Sequence, residues 1–238
     1  MKNTADTSKS FEKEVQELFE IGAHLGHKKN RLHPKAKSYI YKIINGISII
    51  DLTKTVNNLT QAKKFLNETA KQQKIMLVVA TKKIVNQYAT EICKNNNLPY
   101  ITTKWLPGLL TNFSAIIKNV KHLQELKDQK ERGEWDKFVK HERIKLDKDL
   151  LKLEKFYGGL LDLNKKPDVL LIIDSKKERN ALIEAQKNLI PVVGIIDTNS
   201  DPNQIDFSIL INDDSPSVLQ RILSELVSAY VKGRESVS

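Results

Sequence analysis

The chain is poor in several residue types that would announce a chemistry. Among its 238 residues Cys93 is the only cysteine, which excludes an intrachain disulfide and a four-cysteine zinc centre. No apolar run approaches the length of a membrane span. The N-terminal MKNTADTSKSFEKEVQ lacks the apolar core of a secretory signal and carries too many acids for a transit peptide. These absences describe a soluble protein of a reducing compartment. Glycine is sparse, at nine residues, and none sits where a phosphate cradle needs it. The segment Ala80-Thr81-Lys82-Lys83 follows the most apolar stretch without a glycine, and neither GxxxxGK[ST] nor a nucleophile elbow occurs. No catalytic residue and no cofactor is therefore assigned.

The most instructive absence is of acidic residues from Ile21 to Ile50. Within that window lie Lys28, Lys29, Arg31, Lys35, Lys37 and Lys42, with His33, Tyr39 and Tyr41 interleaved. Cations neutralise phosphates and flat rings stack on bases, so the combination points to a nucleic-acid surface. A solvated basic loop ahead of a hairpin is the plainer alternative. Residues 1–160 hold 30 basic and 17 acidic side chains, a balance of +13, whereas residues 161–238 hold 9 and 12, a balance of −3. An asymmetry of that size suggests one face turned to a polyanion.

Periodicity supplies the architecture. A polar stretch of ten residues, expected to be disordered, precedes a helix over Phe11 to Glu20 with Ser10 as its cap. Asn45-Gly46 between two β-rich runs predicts a tight hairpin, and Asp51 a cap for the next helix. Buried-strand runs at Ile75–Val79, Val169–Ile173 and Val192–Ile196, with weaker ones at Pro99–Thr102 and Phe207–Ile211, alternate with helices at Lys82–Lys94, Lys177–Asn188 and Val218–Val231. Such alternation implies an α/β fold, a Rossmann-like (flavodoxin-like) parallel sheet with helices on both faces. Between them, apolar steps of three and four on both sides of Gly133 predict an inserted antiparallel helical hairpin with a coiled-coil seam. The expected organisation is residues 1–20 as tail and helix, 21–111 and 159–238 as two parts of one α/β domain, and 112–158 as the insertion.

Three further groups carry polar chemistry. His24-x-x-His27 with His33 nearby suggests metal ligands, but no convincing local fourth ligand accompanies them, and no metal is assigned. Asp174-Ser175 and Asp197 to Asp201 lie beyond strand ends, where they suit a divalent cation or, equally well, turn and cap chemistry, and Asp213 to Ser215 most simply cap the last helix. Lys104-Trp105-Leu106-Pro107-Gly108 to Asn112 combines a turn, a planar anchor and a helix cap, and serves either as a joint or as a joint that also touches RNA through Lys104, Trp105 and Asn112.

In order along the chain, GAHLGH, NGISIIDLTKT, KWLPGLLTNF, LEKFYGG, PDVLLIID, IPVVGIIDTNSDP and IDFSI followed by NDDS make the chain resemble the small-subunit ribosomal protein S2 family of the bacterial type, across nearly its whole length. The resemblance implies a structural, non-enzymatic RNA-binding protein at the head–body junction of the small subunit. Its implied partners are small-subunit ribosomal RNA, neighbouring ribosomal proteins and, where it exists, the messenger-binding ribosomal protein S1. The implied setting is the ribosome of a cytoplasm or of an organelle with its own genome. Leu32 departs from an aromatic residue common in the family, and Leu210-Ile211 from a frequent Pro-Gly pair. Rival readings are a nucleotide-dependent enzyme on a doubly wound sheet and a free-standing RNA-binding scaffold. The residues expected on the RNA are Lys28, Lys29, Arg31, His33, Lys35, Lys37 and Tyr39, with Lys104, Trp105 and Asn112.

Overall fold

Apolar strands that alternate with amphipathic helices have one economical solution, a parallel sheet covered on both faces, and the chain adopts it. A computed structural model describes residues 2–237, with side chains from residue 11 onward. Five parallel strands form the central sheet: β4 (Met76–Val79), β5 (Tyr100–Ile101), β6 (Val169–Ile173), β7 (Val192–Ile196) and β8 (Phe207–Leu210). Their order is β5-β4-β6-β7-β8, so the direction of strand addition reverses beside β4, as in flavodoxin-like sheets.

Every residue of β4, β6 and β7 is buried, because both faces are covered. Side chains alternate across a strand, so Met76 and Val78 point into one core and Leu77 and Val79 into the other. The first core is covered by α1 (Lys2–Glu20), α2 (Leu52–Lys71), α3 (Asn86–Asn95) and α7 (Pro216–Glu235). Lys63 joins these helices by reaching Glu14 at 3.1 Å and Glu225 at 2.9 Å. The second core receives α6 (Arg179–Lys187), the segment around Trp105 to Leu110, and the first turns of α4 (Phe113–Glu131).

Before the parallel sheet, β1 (Leu25–Lys28), β2 (Ile40–Ile44) and β3 (Ile47–Ile50) make a small antiparallel sheet in the order β1-β3-β2. Asn45 and Gly46 both take positive φ, 49° and 77°, as a tight two-residue turn requires. Asp51 accepts a hydrogen bond from the Thr53 amide at 3.1 Å and caps α2 as expected.

Helix α4 and α5 (Lys140–Tyr157) follow β5 in the chain and run back along each other, joined through Gly133 at φ 70°. Leu123, Leu126, Trp135 and Leu150 fill the space between them. Lys127 meets Glu154 and Lys130 meets Asp147, each at 2.7 Å, which sets the antiparallel register. The pair returns to the sheet at Gly158-Gly159, where a β-carbon on Gly159 would overlap the carbonyl oxygen of Tyr100.

Several local expectations change. The first helix begins at Lys2, so the polar stretch expected to be disordered is helical and Ser10 lies within a helix rather than at its cap. Helix α3 starts at Asn86 rather than Lys82, after a turn in which the Lys82 carbonyl accepts from the Val85 amide at 3.1 Å. Asn112 and Ser215 sit at the cap positions of α4 and α7, but neither side chain accepts a cap hydrogen bond. Where the family's frequent Pro-Gly pair is replaced by Leu210-Ile211, Ile211 continues β-type pairing by donating to the Ile196 carbonyl at 2.9 Å.

Candidate nucleic-acid interface

The cations of the acid-free window stand on a built surface. Lys28 ends β1, residues Lys29–Arg31 and Pro34–Tyr39 form two short 3-10 turns, and Ala36 is fully buried beneath the second. The Lys29 amide donates to the Gly46 carbonyl at 2.8 Å, and Asp51 donates its amide to Tyr39 at 2.9 Å. Pro34 opens the second of these turns, and the segment is compact rather than extended.

Five contacts pin this segment to the loop after β7. The His27 amide donates to the Thr198 hydroxyl at 3.0 Å, and the His33 amide donates to the Thr198 carbonyl at 2.8 Å. His27 Nδ1 lies 2.8 Å from Asp197, while its Nε2 lies 3.1 Å from the Asn199 amide nitrogen. Gly26 permits this closeness, since a β-carbon there would strike the Thr198 methyl at 2.6 Å. Lys35 adds a 3.2 Å salt bridge to Asp201.

Lys28, Lys29, Arg31 and Lys37 are exposed and form no salt bridge among the described residues. Lys28 and Arg31 border an open cleft of about 520 Å³ that His27, Asp197, Asn212 and Asp214 also line. Lys35 shares its charge with Asp201, which weakens its claim on a phosphate. Tyr39 is half-buried and packs on the second core, together with Leu32. His33 is also half-buried, and its Nδ1 has no hydrogen-bond partner. Neither ring lies flat on the surface; Tyr41, at 76% exposure, does offer one.

Beneath the cations lies an acidic layer at the carboxyl ends of the strands. Lys82 bridges Asp213 at 2.7 Å and Asp214 at 2.9 Å. Burial pushes the Asp213 carboxyl up to about 6; Asp197 and Asp174 add to the shift, and Lys82 opposes it. Donor atoms of His27, Asp197 and Asp213 lie within 4.8 Å of one another. One imidazole and two carboxylates can hold a divalent cation, but the Lys82 ammonium already supplies positive charge to Asp213. His24, the other half of the sequence pair, is engaged elsewhere and stacks on Phe19 at 4.1 Å. Near β4 and β6, where a doubly wound enzyme seats phosphates, the Thr81 hydroxyl donates to buried Glu178 and Lys177 reaches the Thr81 carbonyl at 2.7 Å.

The segment from Lys104 to Asn112 is held from inside. Trp105 is 4% exposed and its indole N–H donates to Glu184 at 3.0 Å. The same carboxylate accepts amides from Gly108 at 2.8 Å, Leu110 at 3.0 Å and Thr111 at 3.3 Å. Burial pushes the Glu184 carboxyl up, but these donors outweigh it and hold the group below its ordinary value. Trp105 is thus an internal anchor, and its ring is not presented to a ligand. Lys104 and Asn112 are exposed on the same segment. Sequence reading missed Glu184 and Thr198 as organisers, since an acid on a helix and a threonine in a turn carry no signal of partners far along the chain.

The family model described as Ribosomal protein S2 matches residues 18–233. The small ribosomal subunit protein uS2 of Roseiflexus sp. (strain RS-1) is 40% identical over 220 residues, covering 92% of this chain and 84% of that protein.

Proposed function

Because this chain belongs to the ribosomal protein S2 family, we propose that it grips small-subunit ribosomal RNA with the basic surface around Lys28, Lys29, Arg31 and Lys37. Membership makes it a structural constituent of the small ribosomal subunit, working in translation among ribosomal RNA and ribosomal proteins; the family is not one of enzymes. Seating at the head–body junction and support for the messenger-binding protein S1 belong to this reading and rest on the family resemblance.

The observation that carries the RNA grip is the state of these four cations. They are exposed and outside any salt bridge among the described residues, and their backbone is fixed by Thr198, Gly46 and Tyr39. A preorganised surface binds phosphates without first ordering a loop. Lys35, His33, Tyr39, Lys104 and Asn112 are assigned to its margin, and Trp105 to its internal support.

Changing Lys28, Lys29 and Arg31 together to Gln tests the reading. Each lost phosphate contact flattens the logarithmic salt slope by about 0.7 to 0.9, so the triple variant should lose about 2 to 3. A Lys64, Lys71 and Lys187 variant, altered on exposed faces of α2 and α6, should keep its slope. Equal slopes for the first variant and the unchanged protein on small-subunit ribosomal RNA would remove this surface from the RNA contact.

A further inference from the structure

A second row of basic side chains, four lysines and a histidine, runs along the outer side of α5. His141, Lys145, Lys148, Lys152 and Lys155 recur at steps of four, three, four and three, and all five are exposed. At about 100° per residue they fall within an arc of about 80°. That arc lies opposite Leu146, Leu150, Leu153 and Tyr157, which pack between α5 and α4.

Three of the helix's four acids are engaged away from the row, and the fourth, Asp149, is exposed on its flank, four residues after Lys145 and three before Lys152, with no salt bridge among the described residues. Asp147 and Glu154 turn to Lys130 and Lys127 across the seam, and Glu142 accepts the Val139 amide at 3.3 Å. Lys145, Lys148 and Lys152 form no salt bridge among the described residues. Lys155 lies 5.7 Å from the centroid of the Phe156 ring. Like charges three and four residues apart on a helix repel, so the row works against folding unless an anion covers it.

We propose that this row is a second RNA-phosphate surface, engaging a segment of ribosomal RNA different from the one under Lys28 to Lys37. The proposal rests on the reading of the chain as a ribosomal-RNA-binding constituent of the subunit. A rise of 1.5 Å per residue makes the row about 21 Å long, with basic side chains about 4.5 to 6 Å apart, each able to take its own phosphate. The helical pair joins the sheet beside β5, through Gly159 and Tyr100, whereas the first basic surface is pinned to the end of β7. Three strand spacings, about 14 Å, separate those anchor points within the sheet alone.

The test changes Lys145, Lys148 and Lys152 to Gln in the full-length chain and measures binding to small-subunit ribosomal RNA against salt. The expected slope falls by about 2 to 3. Hydroxyl-radical footprints should lose protections that the Lys28, Lys29 and Arg31 variant retains, and joining the two variants should add their losses in log affinity. An unchanged slope and footprint, with the Lys28 variant still impaired, overturns this inference and leaves the first surface standing. A normal α5 variant beside a normal Lys28 variant overturns both readings, whereas impairment in α5 alone supports the row and removes the first surface. RNA binding retained, with loss of crosslinks to an acidic ribosomal protein, also overturns it, because the row would then be a protein contact.

Discussion

Glu184 offers the sharpest test of how the Trp105 segment is held. Its carboxylate, 9% exposed, receives the Trp105 indole and the amides of Gly108, Leu110 and Thr111 at 2.8 to 3.3 Å. Replacement by Ala removes every acceptor at once. Trp105 and Leu110 are buried, so their two N–H groups stay without partners; Gly108 and Thr111 lie nearer solvent and rehydrate. Two orphaned donors at about 1–3 kcal/mol each, plus smaller losses at the others, give a destabilisation of about 3–5 kcal/mol. With a urea slope of about 2–3 kcal/mol per molar, the midpoint should fall by about 1–2 M. Glu184→Gln keeps one oxygen but turns an NH₂ toward donors, so it should fall between. In a Trp135→Phe background, emission from Trp105 should shift to the red in both variants.

The pH dependence follows from the same bonds. The Glu184 carboxyl titrates lower in the folded chain than its ordinary 4.5, so the unfolded chain takes up the proton first as pH falls. Its stabilisation is therefore present above about pH 4.5 and is lost as pH drops through the folded value. The stability gap between the unchanged protein and Glu184→Gln should narrow below that point. A midpoint for Glu184→Ala within about 0.2 M of the unchanged protein would refute the reasoning, since the linear relation leaves under about 1 kcal/mol for four hydrogen bonds.

Asp213 should behave in the opposite sense. Burial raises its carboxyl from 3.8 to about 6, so the folded chain binds the proton more tightly and its stability contribution declines as pH rises from about 4 to 6. Unfolding midpoints of Asp213→Asn and the unchanged protein, compared at pH 5 and pH 7, should therefore show the variant gaining relative ground at pH 7. At the other end of the sheet, Gly159→Ala forces a β-carbon onto the Tyr100 carbonyl and should cost about 1–3 kcal/mol. Amide exchange in that variant should rise first around Tyr100 and Gly158, ahead of β6 and β7.

What the sequence made legible was what repeats locally. Val169–Ile173 and Val192–Ile196 are continuous apolar runs because their strands are covered on both faces, and both are strands at those bounds. Asn45-Gly46 carries its turn in its own backbone preferences, and Asp51 caps a helix one residue away. Strand β1 escaped notice because it contains Gly26 and pairs with β3, Leu25 lying opposite Ile49, so its hydrogen bonds depend on residues more than twenty positions on. Trp105 read as the planar anchor of a joint, with contact to RNA left open, because nothing within its own segment reveals Glu184, 79 residues later. The basic stretch was visible as charge, but its rigidity comes from Thr198 and Asp197, which no local pattern connects to His27.

The link between His27 and Thr198 spans 171 residues. A ribosome making this chain produces Lys28, Lys29 and Arg31 early, yet the groups that brace them, Asp197, Thr198 and Asp201, emerge near the end of synthesis. The cations therefore exist for most of the chain's manufacture without their final arrangement. They acquire it only after β7 has joined the sheet and the loop beyond it has closed on His27 and His33. A nascent or truncated chain thus carries the charge of this basic surface without its shape.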